Sequence, residues 1–247
     1  MTGEREEPPR GRVLILAGTR EARELCARAA GLDVLASLAG ATAVPRPLGV
    51  PTRVGGFGGE AGFCAALDGV SAVVDATHPF AARISARTWR VCADLGMPML
   101  RLARPAWPVE PDWHRHDDAH AASAALPRGA RVFLATGPGA LAPFLDRGLD
   151  LFCRRVDAAP PRDGVTWVVG GPGTETEERA LLARLDISHL VTKNAGGPRA
   201  KLDAAAALGI AVHVVERPAP AGGEETHDIA RALAFVRRHA APADHRD

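Results

Sequence analysis

Apolar positions along the chain fall into two alternating textures. Short runs rich in Val, Ile and Leu read as buried strands, and between them apolar residues recur at three- and four-residue spacing, the period of a helix with one covered face. The pattern predicts strands at 12–17 (Arg-Val-Leu-Ile-Leu-Ala), 33–38, 51–54, 71–75 and 98–102, with helices over 20–30, 59–68 and 79–95. In the last helix Phe80, Ile84, Val91 and Leu95 form the core stripe, while Arg83, Arg87 and Arg90 form a neighbouring stripe whose plain reading is a solvated face. Residues 103–118 interrupt the series with three prolines and two tryptophans, as a domain junction does. A second series follows, with strands at 130–135, 150–156, 165–169, 188–192 and 210–215 and helices over 117–126, 138–146, 174–185, 198–208 and 226–238.

Strands that alternate with helices make parallel sheets covered on both faces. The 247 residues fit one large domain or two smaller ones, and the junction favours two. The expected architecture is therefore α/β: a flexible tail at 1–11, an N-terminal Rossmann-like domain at 12–105 and a C-terminal Rossmann-like domain at 106–247. Both are doubly wound, with a cleft between them.

Composition narrows the function. A net charge of +1 spread evenly along the chain leaves no broad basic face, so nucleic acid is not an expected partner. No run of 18 apolar residues occurs, and the acidic, proline-containing start does not resemble a secretory leader. No membrane partner is expected, and the location is expected to be cytoplasmic. Cys26, Cys64, Cys92 and Cys153 stand far apart without a Cys-x-x-Cys and read as buried free thiols. His114, His116 and His120 have metal-ligand chemistry but straddle a strand-to-helix junction with no cysteine nearby, so no metal is expected. Lys193 and Lys201 are the only lysines among 30 Lys and Arg residues, and a lysine kept in such an arginine-rich chain points weakly to a need for a compact ammonium.

Ligands of open α/β sheets bind outside the carboxyl ends of the strands. Those ends carry Gly18-Thr19-Arg20-Glu21, Ser37-Leu38-Ala39-Gly40, the run Gly55-Gly56-Phe57-Gly58-Gly59 and Asp75-Ala76-Thr77-His78-Pro79-Phe80 in the first half. In the second half they carry Thr136-Gly137, Gly170-Gly171-Pro172, Lys193-Asn194-Ala195-Gly196-Gly197 and Glu216-Arg217-Pro218. Thr19 is placed to cap a helix whose amides can meet a phosphate, although the Gly-x-Gly-x-x-Gly fingerprint is absent. The glycine run is either a backbone that lies flat against a ligand or a turn before the next helix. His78, beside Thr77 and before Pro79, suits a helix cap as well as a ligand-facing role.

In order and spacing these motifs, followed by Arg104-Pro105-Ala106-Trp107, resemble the precorrin-6A reductases from Leu14 to Pro218. The Asp-Ala-Thr-His-Pro-Phe run is specific to that family, and the Gly-Gly-Phe-Gly-Gly loop looks like its aerobic-pathway branch. Two positions depart from it. Ala41 stands before Thr42 where the family often has Arg, leaving Arg20 or Arg46 to replace that cation, and Ala195 stands where it often has Ser.

The resemblance implies an oxidoreductase of cobalamin biosynthesis that uses NADPH to reduce the precorrin-6A macrocycle to precorrin-6B. Its substrate would be a small-molecule tetrapyrrole, and brief contacts with other enzymes of that pathway are an accompanying expectation. His78 and Lys193 are the expected catalytic residues. Gly18, Thr19, Arg20, Glu21, Ser37, Ala39, Gly40, Thr42, Gly56, Asp75, Thr77, Thr136, Gly137, Gly171 and Asn194 are expected at the cofactor. Phe57, Arg83, Arg87, Arg104 and Lys193 are expected at the substrate, whose many carboxylates suit guanidinium forks; the pair Arg154-Arg155 is a further candidate. Two alternatives remain: a cobalt-precorrin-6A reductase using NADH, and a nucleotide-binding protein without turnover.

Overall fold

A computed structural model describes residues 10–40, 46–220 and 222–243. The chain forms two compact units, one made of residues 1–104 and 219–247 and the other of residues 105–218. Residues 1–9 of the expected tail lie outside the described residues, whereas Gly11 bridges to Ala240 and is part of the fold.

The first unit runs β1 (Arg12–Ala17), α1 (Arg20–Arg28), β2 (Val34–Leu38), β3 (Thr52–Val54), α2 (Glu60–Ala65), β4 (Val70–Ala76), α3 (Ala82–Asp94) and β5 (Met99–Leu102). It is completed by β12 (Glu224–Thr226) and α7 (Ile229–His239) from the far end of the chain. The strands lie in the parallel order β3-β2-β1-β4-β5-β12. Side chains of a strand alternate between faces, and β1 shows it. Val13, Ile15 and Ala17 join Leu25 of α1 and Val236 of α7 in one core. Leu14 and Leu16 join Phe63 of α2 and Val91 of α3 in the other.

The expected C-terminal domain is corrected at its end, because residues 219–243 belong to the first unit. β12 pairs with β5 in the register Glu224↔Leu100 to Thr226↔Leu102. Asp228 then caps α7, its Oδ1 accepting from the Ala230 amide at 2.7 Å. Ala232, Leu233 and Val236 of that helix are buried, at roughly 1.5–3 kcal/mol for each fully covered Leu or Val.

The second unit runs β6 (His114–His116), α4 (Ala119–Ala124), β7 (Arg131–Leu134), β8 (Asp150–Arg155), β9 (Val165–Val169), α5 (Glu175–Arg184), β10 (His189–Lys193), α6 (Ala200–Ala207) and β11 (Ala211–Val215). Its parallel order is β9-β8-β7-β10-β11-β6, which repeats that of the first unit with β7 and β10 in the places of β1 and β4. Thr174 starts α5 through a capping box with Glu177.

Other expectations also change. The helix expected at 138–146 is two short 3₁₀ turns, Pro138–Ala140 and Ala142–Phe144, since Pro143 in its interior cannot donate an amide to a continuing helix. α3 begins at Ala82, so Phe80 precedes it, and Leu95 is 57% exposed rather than core. The buried face of α3 is instead Ser85, Thr88, Val91 and Cys92. Cys64 is exposed, while burial pushes the thiols of Cys26, Cys92 and Cys153 up to about 11. No helix among the described residues is long and apolar enough to cross a membrane.

Candidate functional site

In the first sheet successive strands run outward from β1 to β3 and then from β4 to β12, so the order reverses between β1 and β4. That reversal opens the crevice in which such sheets bind ligands. The two strand ends deliver Gly18-Thr19 and Thr77-His78 side by side: a Cβ built on Gly18 would lie 3.7 Å from both the His78 nitrogen and the Thr77 Cα. Thr19 is fixed twice, accepting from the Ala22 amide at 3.1 Å and donating to the Ala76 carbonyl at 3.0 Å. It caps α1 as expected, which leaves the first-turn amides of that helix directed at the crevice. Arg20 is exposed, and Glu21 lies 4.0 Å from Arg104, both side chains being less than a fifth exposed.

Asp75 is fully buried. One of its oxygens accepts from Arg101 of β5 at 2.5 Å, and the other accepts from the Thr77 hydroxyl at 2.6 Å and the Thr77 amide at 3.1 Å. Arg101 also donates to Ser85 of α3 and pairs with Glu225 of β12 at 3.2 Å. The expected contact of Asp75 with a cofactor is corrected accordingly: an enclosed carboxylate whose oxygens are engaged holds the end of β4 in shape and leads the chain into His78.

His78 does not cap α3. Ala81 is the residue before that helix and makes no side-chain cap, so Pro79 is not the first helical residue. The His78 Nδ1 instead accepts from the Phe80 amide at 3.2 Å, and its carbonyl accepts from the Ala81 amide at 2.7 Å. An accepting Nδ1 assigns the proton of the neutral ring to Nε2.

At the end of β2, Ser37 is buried and accepts from Arg53 of β3 at 2.9 Å, while Ala39 and Gly40 are exposed. Thr42 and Ala41 lie outside the described residues. Arg53, which sequence reasoning passed over, also donates at 3.1 Å to the carbonyls of Gly55 and Gly56 and stacks 4.0 Å above the Phe57 ring. On α3 the three arginines differ. Arg83 is exposed, Arg90 is bonded to Glu60 at 2.8 Å, and Arg87 is half-buried over Phe63 at 4.3 Å and Phe57 at 5.4 Å. Burial pulls the Arg87 pKa down.

The second sheet reverses between β7 and β10. Thr136 and Gly137 follow one of these strands, and Lys193 ends the other. Thr136 is buried and its hydroxyl meets no partner among the described residues, an orphan group of the kind that awaits a ligand or water. Burial holds the Lys193 ammonium below its ordinary pKa. Gly171 is exposed beyond β9. Asn194, expected at the cofactor, is a brace instead: at 3% exposure its Oδ1 accepts from the Trp107 amide at 2.9 Å, and its Nδ2 donates to Glu216 at 3.3 Å. Lys201 lies 4.5 Å over the Trp107 ring. Arg154 is engaged by buried Glu178 at 2.9 Å, which removes it from the candidate substrate arginines. Among the described residues no group of three His, Cys, Asp or Glu side chains has the geometry to hold a metal ion.

The profile of the family described as "Precorrin-6x reductase CbiJ/CobK" matches residues 12–237. The chain is similar to the precorrin-6A reductase of Rhodococcus erythropolis, with 42% identity over 241 residues that cover 91% of this chain and 97% of the relative. A fainter likeness, 28% over 189 residues covering 69% and 72% of the two chains, links it to the cobalt-precorrin-6A reductase of a Synechocystis species. Among solved structures, one titled "CobK precorrin-6A reductase" superposes with a TM-score of 0.86 and 37% identity, covering 94% of this chain and 98% of that one.

Proposed function

The chain belongs to the precorrin-6x reductase family, and from that premise we propose that it reduces metal-free precorrin-6A to precorrin-6B with NADPH. The observation that carries the reading is the switch point of the first sheet, where Gly18, the capped start of α1 and His78 converge. Those residues fit a dinucleotide: Gly18 keeps its side free of a Cβ, and the amides after Thr19 face a phosphate.

Preference for NADPH over NADH follows from the end of β2. A sheet that recognises NADH places a carboxylate near there for the ribose hydroxyls. Here the strand ends Ser37-Leu38-Ala39-Gly40, with no acid among the described residues, while Arg20 and Arg46 are exposed cations suited to a 2′-phosphate. When bound, the dihydronicotinamide supplies the hydride. Thr19, Arg20, Ser37, Ala39, Gly40 and Gly56 are assigned to its binding, with Glu21 and Thr77 supporting them. Thr136 and Gly137, beyond β7, and Gly171, beyond β9, are the second unit's own candidates for a cofactor contact.

His78 presents Nε2–H as an orienting donor. Phe57, Arg83, Arg87, Arg104 and Lys193 are assigned to the macrocycle and its carboxylates. The work of the protein is to bind, orient and exclude water.

Anaerobic incubation of the purified chain with each cofactor and each macrocycle, following both chromophores, tests the reading. Loss of NADPH matched to reduction of metal-free precorrin-6A is expected. Turnover confined to the cobalt-bearing macrocycle, or tight NADPH binding with no oxidation, would overturn it.

A further inference from the structure

The loop between β3 and α2 is built from both sides. Gly55, Gly58 and Gly59 have φ of +117°, +71° and +103°, which side chains rarely adopt. Yet the loop is tied down: the Gly55 amide donates to the Leu38 carbonyl at 2.8 Å, and the Phe63 amide donates to the Gly59 carbonyl at 3.2 Å. A Cβ on Gly62 would lie 1.7 Å from the Phe57 carbonyl oxygen, so α2 has a notch that receives the loop's backbone. The Phe57 ring meets the Phe63 ring edge-on, with centroids 5.1 Å apart at 77°. This is a set platform rather than a loose turn.

Arg53 holds it. One guanidinium ties Ser37 of the next strand to the carbonyls of Gly55 and Gly56 and lies flat over Phe57. Its hydrogen bonds to three acceptors need the planar fork of arginine. Arg87 closes on the same ring from α3, and its Nε is buried without a partner among the described residues. Glu60, the acid whose charge acts on Arg87, is hydrogen-bonded to Arg90 at 2.8 Å. A half-buried guanidinium beside an aromatic face, its Nε unpartnered among the described residues, suits a flat ligand that brings carboxylates with it.

We propose that Arg53 is a positioning residue for substrate: it sets the glycine loop so that Phe57 and Arg87 receive a conjugated macrocycle and one of its carboxylates. This rests on the assignment of a tetrapyrrole substrate. The aromatic face that Phe57 presents therefore serves the macrocycle, while the backbone of Gly56 keeps its assignment to the cofactor.

The test compares parent, Arg53→Ala, Arg53→Lys and Phe57→Leu as full-length proteins, with melting temperature measured for each. Expected for all three variants is a KM for precorrin-6A raised about tenfold or more, with a clearly smaller rise in the KM for NADPH. Lysine keeps the charge but not the fork, so it should not rescue. A direct measurement uses uroporphyrin, a fluorescent porphyrin octacarboxylate, whose dissociation constant should rise in parallel in folded variants. Unchanged macrocycle binding in folded Arg53→Ala, full rescue by lysine, or an effect on NADPH alone would overturn the inference. A parent that turns over no precorrin-6A would instead sink the assigned function.

Discussion

The Nε2 of His116 and the Nδ1 of His213 lie 3.0 Å apart, within hydrogen-bond distance across adjacent parallel strands. His213 is 3% exposed, stacked at 4.7 Å on His114 and at 5.2 Å on His116, with His189 tilted against it at 5.5 Å. Packed together and shielded from water, these rings disfavour the gain of further positive charge.

Stability should fall in acid for that reason. Burial first, and then the neighbouring His114, His116 and His189, lower the His213 pKa from 6.5 to about 4, and His116 and His189 are lowered too. Only Asp117 opposes this at His116. Because the folded pKa is below the unfolded one, the unfolded chain binds the proton first. Stability is full above pH 6.5, declines as pH falls towards about 4, and levels below that. His213 alone accounts for on the order of 3 kcal/mol. Urea midpoints measured across this range should slope for the parent and flatten for His213→Leu; parallel slopes would refute the assignment.

The Asp75–Arg101 pair makes a second case. Arg101 is 8% exposed and Asp75 is wholly buried, and breaking a buried pair leaves one charge without compensation. Arg101→Met should cost about 3–5 kcal/mol in urea unfolding. The double variant Asp75→Asn, Arg101→Met should recover part of that, since no bare carboxylate remains. A loss under about 1 kcal/mol for the single variant would mean that Glu225 and water carry the structure instead.

Ten strands were legible, nine as apolar runs and β3 from its place between the end of β2 and the glycine run. β6 and β12 were not, because His-Arg-His and Glu-Glu-Thr carry no apolar residue and lie at sheet edges where charge is tolerated. The return of α7 to the first sheet was equally hidden, because an amphipathic stripe does not say which core it covers. At the site, the glycine-rich strand ends could be located, but the division of labour within them could not. Asp75 and Asn194 look like ligand contacts in sequence and are braces in space. Arg53 and Arg101 look incidental and organise what surrounds them. One signal was available: Arg101 interrupts the apolar run Met99–Leu102, and a charge in a buried strand requires a partner. Gly196 shows the same limit, since a Cβ there would meet the Pro105 carbonyl oxygen at 1.9 Å, a contact between residues far apart in sequence.

Lys193 ends β10 at the reversal of the second sheet, and burial already weakens its hold on a proton. A substrate carboxylate would relieve that cost by pairing with the ammonium. Lys193→Ala should lower kcat/KM for the macrocycle by about tenfold to a hundredfold, roughly 1.4–2.7 kcal/mol, with a melting temperature close to that of the parent. Unchanged kinetics in a folded variant would leave the lysine without a part in binding.

His78 allows the sharpest separation of scaffold from chemistry. Its Nδ1 accepts from the Phe80 amide two residues on, a bond that an asparagine Oδ1 makes equally well in the corresponding turn. His78→Asn therefore keeps the backbone that leads from Asp75 towards α3 and removes only the second ring nitrogen. If the ring serves the turn alone, folding and turnover both survive the change. If Nε2–H orients the nicotinamide or the macrocycle, the fold persists while hydride transfer slows, because small misplacement of reacting atoms is costly. The second outcome is expected, with melting temperature and NADPH affinity near the parent values and a single-turnover rate lower by about tenfold or more. A rate within about twofold of the parent, roughly 0.4 kcal/mol in barrier, would remove His78 from the reacting geometry and leave Nδ1 and its turn as the residue's whole contribution.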